Sequence, residues 1–119
     1  GKVQIVLENI YFDLNKWDIK EDAARILNVL VDLLNKYPVM EIEIDAHTDS
    51  RASDTYDLVL SNKRAASSLE YLVKNGIKRK RLRSRGFGES VPLIKCGKTK
   101  VCTEQEHSIN RRCEFIILK

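Results

Sequence analysis

The chain has 119 residues, 43% hydrophobic and 32% charged, with a formal net charge of +4, which is room for one soluble domain and not for two. No apolar run approaches the ~20 residues needed to span a bilayer, and no basic-then-apolar leader opens the chain, so a signal peptide is absent or already removed. Gly1-Lys2 reads as the start of a domain excised from a longer protein.

Val3 to Phe12 is rich in β-branched and aromatic residues, lacks Gly and Pro, and predicts a first strand; Asp13 to Lys16 then reads as a loop. Asp18, with Glu21 three residues later, makes a capping-box pattern that opens a helix. Ile19, Ala23, Ile26, Leu27, Leu30, Val31 and Leu34 recur at threes and fours, giving that helix one buried face until Pro38 stops it. Met40, Ile42, Ile44 and Ala46 alternate with Glu41, Glu43, Asp45 and His47, the period of a strand covered on one side. After the polar turn Arg51 to Asp54, Ser53 or Asp54 caps a second helix from Thr55 to about Lys74. Its expected inward face is Leu58, Ala65, Ala66, Leu69, Leu72 and Val73, and Gly76 supplies the left-handed residue past its end. Leu82 to Arg85 predicts a short strand leading to Gly86-Phe87-Gly88, and a long loop follows. Thr103 with Glu106 is a second capping box, for a short helix to about Asn110, and Cys113 to Leu118 is the last strand.

The order β-α-β-α-β-(short α)-β predicts an α/β (α+β) two-layer sandwich: a mixed four-stranded sheet, helices packed on one face, and right-handed crossovers making the first parallel pairs. Three cysteines exclude a fully paired internal framework. Cys96 and Cys102 bracket a short polar loop, where a disulfide is favoured over a reduced pair. It would add roughly 2 kcal/mol and persist only in an oxidising compartment. Zinc would need four ligands, and Cys96, Cys102 and His107 leave the set short. Cys113, in an alternating apolar run, reads as a buried small hydrophobe.

The second strand ends in His47-Thr48-Asp49-Ser50-Arg51, at the carboxyl edge where α/β folds bind ligands. A hydrolytic reading of Ser50, His47 and Asp49 lacks a Gly-x-Ser-x-Gly elbow, and alternate side chains of an extended segment point to opposite faces, so an enzyme is not expected. Asp49 can accept from a ligand ammonium and Arg64, in the following helix, can fork onto a carboxylate; together they suit a zwitterion. The plainer alternative is that Asp49 caps the turn and pairs with Arg64 directly, and residue types alone leave both open.

His47-Thr48-Asp49-Ser50-Arg51, then Tyr56-Asp57-Leu58-Val59-Leu60-Ser61-Asn62-Lys63-Arg64-Ala65, Gly86-Phe87-Gly88-Glu89-Ser90 and Asn110-Arg111-Arg112-Cys113-Glu114-Phe115 together resemble the OmpA-like peptidoglycan-binding domain, from Ile10 to Phe115. The resemblance implies non-covalent anchoring of a bacterial envelope protein to peptidoglycan through the diaminopimelate residue of the stem peptide, with no cofactor. It implies a periplasmic location and a parent protein attached to the outer membrane. By motif position, Asp49 would take the ligand's ammonium and Arg64 its carboxylate. Thr48, Asp57 and Leu60 would complete the lining, Arg111 would contact the ligand or brace the loops, and Phe12, Asp13 and Leu14 would offer backbone groups. Two positions depart from the pattern. Asp57 stands where many relatives have Asn, adding charge and losing an amide donor, and Ala52 stands where many have Gly.

From Gly1 to Leu60 there are 6 Lys+Arg against 12 Asp+Glu, and from Ser61 to Lys119 there are 15 against 5, so the halves carry −6 and +10. Such asymmetry means a basic partner-binding face or two halves that attract each other. The run Lys78 to Arg85 invites a nucleic-acid reading, but it lacks interleaved aromatics and a helix-turn-helix pattern; a solvated turn and strand edge is the simpler account, and no nucleic-acid partner is expected. A module for protein contacts in an envelope complex, with the pocket lost, is the stronger alternative.

Overall fold

The computed structural model describes residues 7–118. In chain order the elements are β1 (Ile10–Tyr11), α1 (Glu21–Lys36), β2 (Ile42–Ala46), α2 (Asp54–Lys74), a single 3-10 turn (Arg79–Arg81), β3 (Leu82–Gly86), α3 (Glu104–Asn110) and β4 (Arg112–Ile117). The expected α+β class holds. The sheet runs β1-β4-β2-β3, with β4 antiparallel to both neighbours and β2 parallel to β3. The alternation read in β2 is realised: Ile42, Ile44 and Ala46 are fully buried in the core with Leu27, Leu34 and Leu72 from the helices.

Several expectations are corrected. The last strand inserts between β1 and β2, so among the described residues only β2 and β3 are a hydrogen-bonded parallel pair. Of the strand expected over Val3 to Phe12, residues 1–6 lie outside the described residues, and pairing in the rest is confined to Ile10 and Tyr11. The Asp18–Glu21 capping box does not form. Helix α1 begins at Glu21, behind Lys20, whose ammonium is held by the Asp13 carboxylate at 2.9 Å and whose side chain makes no cap. The Ser53 cap and the Thr103–Glu106 box do form.

On α2, Leu58 and Ala66 face solvent; the inward stripe is instead Asp57, Leu60, Ser61, Arg64, Ala65, Ser68, Leu69 and Leu72, half of it polar. The two serines pack there because each finds a partner: Ser61 Oγ accepts from the Gly88 amide at 2.9 Å, and Ser68 Oγ donates to the Arg64 carbonyl. The close approach of α2 to β3 also needs Gly86, where an added Cβ would lie 2.5 Å from Asn62 Oδ1 and 2.6 Å from Ser61 Oγ. At the other end of α2, Gly76 takes φ +98°, the left-handed conformation expected there.

Cys96 and Cys102 are joined by a disulfide, and Cys113 is free and buried, its thiol pushed up to about 12 by burial. Part of the basic run is structural: Arg81 donates to the carbonyls of Leu34, Tyr37 and Met40, closing the end of α1, and Arg79 pairs with Glu70. Among the described residues, no helix is long and apolar enough to cross a membrane and no cluster of three or more His, Cys, Asp or Glu side chains could hold a metal.

Candidate ligand-binding site

Beyond Ala46 the β2 chain stays pinned on both sides, His47 N donating to the Arg112 carbonyl and Thr48 N to that of Gly88, so Asp49 arrives at the strand's carboxyl edge in a fixed place. There it meets the inward stripe of α2 and the loop after β1. Between them lies a hollow of 220 Å³ lined by Leu14, Asn15, Thr48, Asp49, Arg51, Ala52, Asp57, Leu60, Arg64 and Arg111.

Asp49 belongs to a closed circuit of ion pairs. Its Oδ2 accepts from Arg51 Nη2 at 2.8 Å and Arg111 Nη1 at 3.3 Å, and its Oδ1 accepts from the Arg51 amide at 3.1 Å. Glu104, from the first turn of α3, closes the circuit by accepting from Arg51 Nη1 and Arg111 Nη1. Burial pushes Asp49 up, but the bonds and charge of Arg51 and Arg111 outweigh it and hold the carboxyl below its usual range. Four lone-pair directions with three used leave Asp49 able to accept once more. Arg111 also donates Nε to the Phe12 carbonyl at 2.9 Å, so it braces the β1 end.

Arg64 is fully buried, and it is not bonded to Asp49. Its Nε donates to the Lys16 carbonyl, Nη1 to that of His47 and Nη2 to that of Asp13, at 2.9, 3.1 and 3.0 Å. Burial without a carboxylate partner lowers its pKa to about 10, so it stays charged at neutral pH. A guanidinium has five N–H groups, so one remains on each terminal nitrogen for a ligand.

One further polar atom of the lining, Thr48 Oγ1, has no partner in the protein. Burial raises Asp57. Its neighbour Glu89, hydrogen-bonded to it and partly buried, is pushed up to about 8, so the two carboxyls share a proton at neutral pH.

Of the residues singled out in the sequence, Leu14, Thr48, Asp49, Asp57, Leu60, Arg64 and Arg111 meet in this hollow. Phe12 and Asp13 stand behind it, with their carbonyls accepting from Arg111 and Arg64. His47 does not line it: the ring stacks on Phe87 with centroids 5.2 Å apart, Nε2 lies 3.0 Å from the Glu114 carboxylate, and burial and Arg112 lower its pKa. Arg51 and Glu104 escaped the sequence reading. Arg51 sat in the quoted motif, whereas Glu104 is 53 residues from its partner and carries no local signal.

The OmpA family model matches residues 11–105. A peptidoglycan-associated lipoprotein of Rhizobium meliloti is 35% identical over 75% of this chain and 51% of its own length. A photosystem I P700 chlorophyll a apoprotein A2 of Gloeobacter violaceus is 36% identical over 98% of this chain but only 14% of its own. The chain thus spans about half or less of these two curated relatives. Among solved structures, the peptidoglycan-associated lipoprotein of Burkholderia pseudomallei shares the fold, with a TM-score of 0.83 at 23% identity over 92% of this chain and 88% of that one.

Proposed function

This chain belongs to the OmpA family, and we propose that it binds peptidoglycan non-covalently, taking the diaminopimelate end of a stem peptide into the hollow and so tethering a bacterial envelope protein to the cell wall. The observation that carries the reading is that Asp49 and Arg64 front one hollow without bonding to each other, beside the unpartnered Thr48 Oγ1. Diaminopimelate bears an ammonium and a carboxylate on one terminal carbon. The ammonium can donate to the remaining lone pair of Asp49, to Asp57 Oδ2 and to Thr48 Oγ1. The carboxylate can accept from the two N–H groups that Arg64 has left. An apolar slot could not select such a group, and charge-assisted bonds of this kind contribute about 1.5–3 kcal/mol each.

The relatives named for peptidoglycan association support a wall partner, a non-enzymatic role and a periplasmic setting in the cell envelope, with this chain as one module of a longer protein. The disulfide fits such an oxidising compartment. A pure protein-contact module would have no need of a polar hollow with unsatisfied groups.

The test is a titration with a diaminopimelate-containing muropeptide beside one carrying lysine at that position, together with a pull-down on isolated sacculi. Lysine lacks the terminal carboxylate, so Arg64 should discriminate against it. Asp49→Asn should cost roughly 2–5 kcal/mol in binding. Equal affinity for the two muropeptides, or sacculus binding undiminished in Asp49→Asn, would refute the assignment.

A further inference from the structure

Asp49 is an acidic wall of the hollow, and the two arginines bonded to it are shared with a residue outside the lining. Glu104 accepts from Arg51 Nη1 on Oε2 at 2.6 Å and from Arg111 Nη1 on Oε1 at 2.9 Å, whereas the same Arg111 nitrogen lies 3.3 Å from Asp49 Oδ2. Arg51 is thereby opened into a fork, with Nη1 on Glu104 and Nη2 on Asp49 at 2.8 Å. Two arginines and two carboxylates leave the circuit without net charge. Glu104 itself stays ionised, because the bonds from Arg51 and Arg111 hold its carboxyl below its usual range.

The start of α3 fixes where this carboxylate stands. Thr103 and Glu106 form the capping box, Lys100 Nζ holds Glu106 at 2.9 Å, and Cys102, bonded to Cys96, directly precedes the cap. The Glu104 side chain is 61% exposed and still reaches both arginines. Without it, two N–H donors lose their nearest acceptor, and the carboxylate beside both is Asp49. A guanidinium favours the two-pronged grip on a single carboxylate, so Arg51 would turn onto Asp49 and fill the acceptor direction left open on Oδ1. The circuit would also carry a net positive charge facing an incoming ammonium. Both changes oppose the ammonium end of a zwitterion. Neither weakens the carboxylate end, which faces Arg64, held by the separate carbonyls of Asp13, Lys16 and His47.

We propose that Glu104 is a positioning residue for ammonium capture: by holding Arg51 and Arg111 from outside the hollow, it keeps one acceptor direction of Asp49 open toward the ligand. The inference rests on the peptidoglycan reading above and adds to it the residue that sets selectivity for the ammonium. The test compares, by calorimetry, a stem tripeptide carrying diaminopimelate with the same tripeptide carrying α-aminopimelate, which keeps the terminal carboxylate and lacks the terminal ammonium. The wild type should prefer the diaminopimelate peptide. Glu104→Gln should lower the ratio of the two affinities roughly three- to tenfold, the range of one hydrogen bond. Glu104→Asp, which keeps the charge on a shorter arm, should retain part of the ratio. In an NMR titration of the free protein, the Asp49 carboxyl should titrate lower in Glu104→Gln than in the wild type, since two cations then face one anion. A Glu104→Gln ratio equal to that of the wild type, an equal loss for both peptides, or an unchanged Asp49 titration overturns the inference and leaves the peptidoglycan reading standing. Should Glu104→Gln fail to fold, Glu104→Asp is held to the same comparison, and an undiminished ratio there overturns the inference. A wild type that binds neither peptide, or both alike, ends the reading of Asp49 as the ammonium acceptor and this inference with it.

Discussion

Replacing Arg64 by Ala should weaken the fold as well as the site, and the size of the effect can be worked from its bonds. The guanidinium makes three hydrogen bonds to the carbonyls of Asp13, Lys16 and His47. At about 1.5–3 kcal/mol for each bond to a charged group, the gross contribution is about 5–9 kcal/mol. Against this stands the penalty of burying the charge: the pKa falls from 12.5 to about 10, and two to three units at about 1.4 kcal/mol each come to roughly 3–4 kcal/mol. The net loss expected is about 2–5 kcal/mol, or a fall in Tm of about 6–20 °C. Urea unfolding followed by circular dichroism measures it directly. Arg64→Lys, whose single ammonium cannot reach three carbonyls, should fall between the two proteins. An Arg64→Ala chain with the wild-type midpoint would mean that the guanidinium does not hold the loop after β1, and its bonds would have to be reassigned to ligand capture alone.

The Asp57–Glu89 pair predicts a pH dependence. Glu89 is raised from 4.5 to about 8 in the folded chain, so the stability it contributes is full below 4.5 and is lost as pH rises through 8. Unfolding midpoints should therefore decline between about pH 5 and about pH 9, and decline less in Asp57→Asn; Asp45, raised to about 7 by burial and Glu43, keeps part of the slope in both. Identical slopes in the two proteins would remove the shared proton. Reducing the Cys96–Cys102 bond should cost roughly 2 kcal/mol in thermal unfolding, and the denatured, unreduced chain should titrate one thiol, that of Cys113. Three thiols would contradict the bridge. Gly86→Ala, which brings a methyl within 2.6 Å of Ser61 Oγ and the Asn62 backbone nitrogen, should destabilise by about 1–3 kcal/mol; a change under about 0.5 kcal/mol would show that α2 can move away from β3 cheaply.

What could be read along the chain was what depends on near neighbours. The alternation of Ile42, Ile44 and Ala46, the Thr103–Glu106 box, the Ser53 cap and the turn at Gly76 all express contacts within a few residues, and each has its expected form. The short Cys96 to Cys102 loop was legible for the same reason. Where local and distant demands competed, the distant one prevailed. The Asp18–Glu21 box gave way to an extended lead into α1, tied back by Lys20 to Asp13. Leu58 and Ala66 lost the inward face of α2 to serines and an arginine whose partners lie on other elements.

The site divides in the same way. Motif order along the chain was enough to name Asp49, Arg64, Thr48, Asp57, Leu60 and Leu14 as neighbours, and they do share one hollow. Whether Asp49 and Arg64 would neutralise each other could not be settled from residue types, because the groups that keep them apart carry no sequence signature. Arg64 is engaged by three backbone carbonyls, which every residue possesses. Asp49 is engaged by Arg51 and Arg111, themselves bridged by Glu104 from a helix far along the chain. Only folding brings that helix and the loop after β1 to the end of β2, and with them the separation of charge on which the proposed ligand capture depends.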